Sequence, residues 1–118
     1  TACKHKGVAG ALTDGPVRDT TRMRALGFKV FGVETSPLDI NSRYEVIEHN
    51  VSCVIDGVTI NPGDLIVGDI DGVVVIPVAA IDEVIARVEE KNSGENLFRN
   101  AVRDGMAPSE AFAKFGVL

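Results

Sequence analysis

Gly10-Ala11-Leu12-Thr13-Asp14-Gly15-Pro16-Val17-Arg18-Asp19 decides the fold. Its first part continues a run of small apolar residues, Val8 to Leu12, that reads as a buried strand. Thr13-Asp14-Gly15-Pro16 is a loop. Pro16 suits the first helical position, since its fixed φ and missing N–H cost nothing there, so a helix is expected over Val17 to Leu26. Val17, Met23 and Leu26 would face inward, and Gly27 would end the helix. Phe28 to Val33 reads as a second strand. Strand, short loop, helix and strand in this order predict two parallel strands with a helix on one face, hence an α/β fold.

Upstream, Thr1 to Lys6 reads as the last turns of a helix stopped by Gly7 after a basic last turn. That reading expects residues before Thr1, with the N-terminal part of the domain missing from this chain. Downstream, Glu34 to Arg43 is a polar loop. The periodicity then becomes two, with short strands expected at Tyr44 to His49, Val51 to Ile55, Val58 to Ile60, Leu65 to Gly68 and Val73 to Ile76. Asp56-Gly57, Asn61-Pro62-Gly63-Asp64 and Asp71-Gly72 supply the turns. Val73 to Ile76 does not alternate, so that strand is expected to be covered on both faces. Pro77 opens a helix over Val78 to Lys91, with Ile81, Val84, Ile85 and Val88 on one stripe. A separate helix is expected over Glu95 to Arg103, with Leu97, Phe98, Ala101 and Val102 inward, and a last one capped by Ser109 that packs Phe112 and Phe115. Residues from about 92 to 118 would form a helical tail of a single domain, and Gly116-Val117-Leu118 would dock on something, such as another subunit.

Composition narrows the function. The chain has 118 residues, 45% apolar and 25% charged, which suits one globular domain. Its 12 basic and 17 acidic residues give a net charge of −5, with no Lys/Arg cluster, so nucleic acid is excluded as main partner. The longest apolar run, Gly72 to Ile81, contains Pro77 and is about half a membrane span, so no membrane partner is expected. Cys3 and Cys53 make neither a disulfide framework nor a zinc site, and a reducing cytoplasm is the default compartment. Both are expected to be inert buried thiols.

The candidate chemistry sits where the first strand meets the helix, beyond the carboxyl end of a parallel strand, where open α/β sheets bind ligands. Arg18 can hold a carboxylate in a two-pronged hydrogen bond. Asp19 is a hard oxygen ligand suited to Mg²⁺ or Mn²⁺ with water completing the shell. An anion holder beside a metal ligand is what chemistry on a 2-oxo acid needs. From local pattern alone, a solvated first-turn pair accounts for the same two residues. Asp14 reads as a turn residue bonding its own loop, and Asp69 and Asp71 as hairpin residues. His5 and His49 have no partner at ligand spacing. Arg43 follows a loop that could approach the same site, though a surface arginine is the plainer reading. No dinucleotide or P-loop pattern exists.

Taken together, Gly7 to Asp19, Leu26-Gly27-Phe28-Lys29-Val30-Phe31, Thr35-Ser36-Pro37, Gly57 to Asp64 and Gly68 to Pro77 resemble the RraA-like family. That family includes the 4-hydroxy-4-methyl-2-oxoglutarate/4-carboxy-4-hydroxy-2-oxoadipate aldolases. The resemblance runs from Gly7 to about Lys91. It implies a layered β/β/α sandwich like the swivelling phosphohistidine-type domain of phosphoenolpyruvate-using enzymes, assembled as homotrimers or homohexamers with sites between subunits. It implies a lyase: a divalent-metal (Mg²⁺ or Mn²⁺) pyruvate aldolase that cleaves a 4-hydroxy-2-oxo acid, with oxaloacetate decarboxylase side activity. Arg18 would then be the catalytic and substrate-binding residue and Asp19 the metal ligand. The family's upstream acidic residue and substrate-binding loop would fall before Thr1. The alternative is a binding protein that regulates a ribonuclease by contact, which an acidic surface permits.

Overall fold

The computed structural model describes residues 1–116. The chain divides into two compact units, Thr1–Val75 and Ile76–Leu118. The expected docking of the final Gly116-Val117-Leu118 falls mostly on residues outside the described ones.

The first unit begins with α1 (Ala2–His5), which ends before Gly7. Strand β1 (Gly10–Leu12) follows, then α2 (Thr20–Ala25) and β2 (Lys29–Phe31). β1 and β2 pair in parallel, Gly10 opposite Lys29, Ala11 opposite Val30 and Leu12 opposite Phe31. The parallel unit is thus as expected. Gly27 ends α2 at a φ of +63°, which costs glycine little. The N–H groups of Gly27 and Phe28 return to the carbonyls of Arg24 and Met23, and the Lys4 side chain donates to the Leu26 carbonyl. These bonds satisfy carbonyls the helix leaves unpaired.

The helix is shorter than its sequence signal. It starts at Thr20, and Pro16 to Asp19 lie outside it. The reason is a competing ladder: Val17 is held in a parallel bridge with Thr35, where both its backbone groups find partners. An extended residue so bonded cannot also open a helix.

Two hairpins complete the unit. β3 (Cys53–Ile55) and β4 (Val58–Ile60) pair antiparallel across Asp56-Gly57, both at positive φ, as the Asp-Gly signal requires. β5 (Leu65–Gly68) and β6 (Val73–Ile76) are hydrogen-bonded neighbours joined by the turn at Asp69–Gly72. The Asn61-to-Asp64 turn closes on itself, with the Asp64 carboxylate accepting the Asn61 N–H at 2.8 Å. Tyr44 to His49, expected as a strand, is irregular. Its alternating residues find no strand to pair with among the described residues, and Val46 and Ile47 are largely exposed. β6 is not covered on both faces within this chain, since Val74 is 62% exposed. Cys3 and Cys53 are exposed rather than buried.

The second unit opens with a 3-10 turn at Val78–Ala80 and continues into one helix, α3 (Ile81–Arg103). The expected break near Asn92-Ser93-Gly94 is bridged. Ser93 Oγ donates back to the Glu89 carbonyl at 2.9 Å, and Lys91 and Glu95 pair at 3.6 Å across the junction. Leu97, expected inward, is exposed. The last helix, α4 (Pro108–Phe115), starts with Pro108 at its first turn and Ala107 as the flanking residue, so Ser109 is not its cap. α4 packs on α3, and Ala111 is the one fully buried apolar residue among the described residues.

Gly68 of β5 leaves room for the Phe31 ring of β2 to approach closely. A Cβ on Gly68 would lie 2.6 Å from the Phe31 ring. Gly68→Ala is therefore expected to destabilise by about 1–3 kcal/mol through overpacking. In a Phe31→Ala background the same change should cost less, which urea denaturation of the double-mutant cycle measures. Equal cost in both backgrounds would place the two residues apart.

Candidate active site

The site grows out of the parallel pair. Beyond the strand ends the two segments keep running side by side. Thr13 N–H donates to the Phe31 carbonyl at 2.9 Å, and Val17 N–H to the Glu34 carbonyl at 2.8 Å. Ser36 N–H returns to the Val17 carbonyl at 3.0 Å. Between these anchors Thr13 Oγ1 accepts the Gly15 N–H at 2.9 Å, so the turn is closed by Thr13 and not by Asp14. Asp19 then takes a left-handed conformation, φ 59° and ψ 28°, and the chain turns into α2. Non-glycine residues adopt that conformation uncommonly, aspartate more readily than most. Its carboxylate makes no capping bond to α2 and is 65% exposed.

Arg18 therefore sits on the edge of a pinned segment. Its Nη1 donates to Asp39 Oδ2 at 2.5 Å, and its Nε lies 4.0 Å from Asp19 Oδ2. Asp39 is in turn fixed by the Asn41 N–H, which donates to its other oxygen at 2.8 Å. The hydrogen bond from Arg18, followed by that from Asn41, lowers the Asp39 pKa below its ordinary value. The same bond to Asp39 raises that of Arg18.

Arg18 borders two clefts. One, of about 390 Å³, is lined among others by Asp14, Ser36, Asp39 and Arg43. The other, of about 350 Å³, is lined by Asp19, Thr20, Thr35 and Pro37. Of the residues singled out in the sequence, Arg18 and Asp19 are adjacent at these clefts, and Asp14 and Arg43 line the first. Asp69 is elsewhere and serves its hairpin, accepting the Asp71 N–H at 2.9 Å. His5 and His49 are exposed. Asp39 escaped the sequence reading. It stands 21 residues from Arg18 in a loop with no motif, and only the Asp-x-Asn turn pattern hints that its side chain is organised.

Among the described residues no group of three or more His, Cys, Asp or Glu side chains could hold a metal ion. Asp19 still fits a cation of the Mg²⁺ type as a single ligand. Its carboxylate is accessible and uncommitted to the helix, and Mg²⁺ keeps several waters and takes few protein oxygens.

The RraA-like family profile, described as Aldolase/RraA, matches residues 1–75. The chain belongs to this family. It is 34% identical over 109 residues to a Halalkalibacterium halodurans protein provisionally named a 4-hydroxy-4-methyl-2-oxoglutarate aldolase, covering 92% of this chain and 51% of that one. An uncharacterized Methanocaldococcus jannaschii protein is 37% identical over 102 residues, covering 86% of this chain and 49% of the other. The crystal structure of an uncharacterized protein from Pseudomonas syringae pv. tomato superimposes with a TM-score of 0.89 at 28% identity, over 96% of this chain and 53% of that one. The chain thus spans about half the length of the relatives it matches. Arg18, Asp19, Asp39 and Arg43 all lie within the stretch that defines this RraA-like chain.

The Arg18–Asp39 pair has a direct spectroscopic check. Asp39 stays ionised below the ordinary aspartate range, so the pair is present at neutral pH and is lost as pH falls through that lowered value. Arg18→Ala is expected to move the Asp39 carboxyl titration, followed by NMR, back up toward the ordinary range. The Asn41 N–H would keep part of the depression. An unchanged titration would show that the two side chains do not meet.

Proposed function

We propose that this RraA-like protein is a lyase that cleaves a 4-hydroxy-2-oxo acid to pyruvate and a second carbonyl compound, with oxaloacetate decarboxylation as a side activity. The observation that carries this reading is the placement of Arg18, steadied by Asp39 and next to Asp19, on a cleft at the carboxyl ends of two parallel strands. The aldolase name of the Halalkalibacterium relative supports it. The same reading takes the three two-stranded sheets as parts of a β/β/α sandwich of the swivelling phosphohistidine type. It also takes a homotrimer or homohexamer in the cytoplasm as the working form. The apolar strand faces that this chain leaves exposed, Val54 and Val74 among them, suit such assembly. No described helix is long and apolar enough to cross a membrane.

In this mechanism Arg18 receives the carboxylate of the pyruvyl end through its remaining N–H donors, since a guanidinium has five and Asp39 occupies one of its nitrogens. The fixed fork orients the 2-oxo acid. Asp19 would hold a divalent cation, Mg²⁺ or Mn²⁺, which when bound supplies a Lewis acid for the 2-oxo oxygen. A base takes the 4-hydroxyl proton and the C3–C4 bond breaks. Arg18 offsets the negative charge of the departing enolate until it is protonated to pyruvate.

The test is pyruvate release from 4-hydroxy-4-methyl-2-oxoglutarate and from oxaloacetate, with Mg²⁺ and with EDTA. Release is expected with Mg²⁺ and not with EDTA. Arg18→Ala should lower the rate by at least about 100-fold, the usual cost of one donor aimed at developing charge, with circular dichroism unchanged. Asp19→Asn should weaken the dependence on Mg²⁺. Full turnover by Arg18→Ala would defeat the assignment.

A further inference from the structure

A second cavity of the first unit shares no residue with the two clefts at Arg18. It has a volume of about 370 Å³, within the roughly 300–1,000 Å³ of small-molecule sites, and Gly10, Leu12, Lys29, Phe31, Ile66 and Gly68 are among its lining residues. Strand geometry explains why it is there. Lys29 and Phe31 alternate onto one face of β2, and their partners on β1 are Gly10 and Leu12. Ile66 and Gly68, two apart on β5, close the space from the other side. At one end the Phe31 ring comes so near Gly68 that a Cβ there would lie 2.6 Å from it. At the other end Gly10 has no side chain to fill the gap beside Lys29. Nor can it acquire one without strain, since a Cβ on Gly10 would lie 2.9 Å from the Lys29 carbonyl oxygen. The parallel pair and β5 thus meet at Phe31 and stay apart at Gly10.

Lys29 is the only charged residue that lines this cavity. It makes no ion pair among the described residues. A lysine lays its methylene stem along apolar surface and keeps its ammonium at the rim. An ammonium at the mouth of an apolar pocket matches a ligand with one anionic head and a hydrocarbon tail: the head gains a charge-assisted hydrogen bond and the tail leaves water. A ligand with several charges would leave all but one of them facing apolar walls. The plain alternative is an edge-strand lysine that deters sheet-to-sheet pairing, which asks for no ligand.

We propose that this cavity binds a straight-chain aliphatic monocarboxylate, its carboxylate on Lys29 and its tail between Leu12, Phe31 and Ile66. The site is independent of the chemistry proposed at Arg18.

The probes are butanoate, hexanoate and octanoate, with octanol as the uncharged counterpart, titrated calorimetrically. Each two added methylenes are expected to tighten binding roughly tenfold until the cavity is full. Octanoate should bind about tenfold or more tightly than octanol, the worth of one charge-assisted hydrogen bond. Lys29→Met keeps the apolar stem and should collapse that ratio toward one while leaving octanol binding unchanged; Lys29→Arg should preserve the ratio. Ile66→Thr should weaken octanoate and octanol alike. Arg18→Ala should leave octanoate binding as it is, whatever it does to pyruvate release. The proposal is overturned if octanoate does not bind at millimolar concentration, if chain length has no effect, if Lys29→Met binds octanoate like the wild type, or if Arg18→Ala abolishes binding, which would put the acid in the other cleft.

Discussion

The backbone ladder that carries β1 and β2 past their ends is the constraint on which the site depends. Val17 gives its N–H to Glu34 and takes one from Ser36, so a residue in the middle of a loop is bonded like a strand residue. That choice has three consequences. The helix cannot begin before Thr20. The chain must turn sharply at Asp19, which adopts the left-handed conformation to do it. And Arg18, between the bridge and the turn, is directed to the loop that contains Asp39. Rigid placement of a guanidinium without burying it is the outcome, since 42% of its side chain remains exposed.

The strands themselves are held by little. Two-stranded sheets are marginal in water, and the first unit has no fully buried residue among those described. Cross-sheet contacts such as the Phe31 ring against Gly68 therefore matter more than they would in a thick core. Large apolar side chains stay open on β3, β5 and β6, with Val54 60%, Val67 52% and Val74 62% exposed. Strands of this composition normally lie against another layer. The Halalkalibacterium and Methanocaldococcus relatives are about twice as long as this chain.

Much of this was legible in the sequence where one local signal acted alone. Asp56-Gly57 dictated a hairpin because positive φ at both positions suits few other pairs, and Gly27 ended its helix for a similar reason. The reading failed where a local signal met a distant partner. Pro16 signals a helix start, but Glu34 and Ser36 bind the next residue first. Tyr44 to His49 alternates as a strand does, yet a strand needs a neighbour and none is at hand among the described residues. Asn92-Ser93-Gly94 signals a break, yet flanking i,i+4 bonds carry the helix through. Arg18 and Asp19 were legible because they are consecutive. Asp39 was not, since nothing local marks a carboxylate that will meet an arginine 21 residues away.

The exposed Arg18–Asp39 pair is better understood as geometry than as stability. Ion pairs open to water contribute little to folding, because solvent competes for both charges. The same weakness is useful at a binding site. A pair worth little can share its guanidinium with an incoming carboxylate without a large penalty, whereas a buried pair would resist any change in its partners. Asp39 thus limits where Arg18 can point while leaving its other nitrogens available, and the Asn41 N–H keeps Asp39 from following Arg18 away. Orientation without sequestration is what the proposed role of Arg18 as a carboxylate receptor on an open cleft requires, and a loop bonded as an extra rung of a parallel sheet provides it.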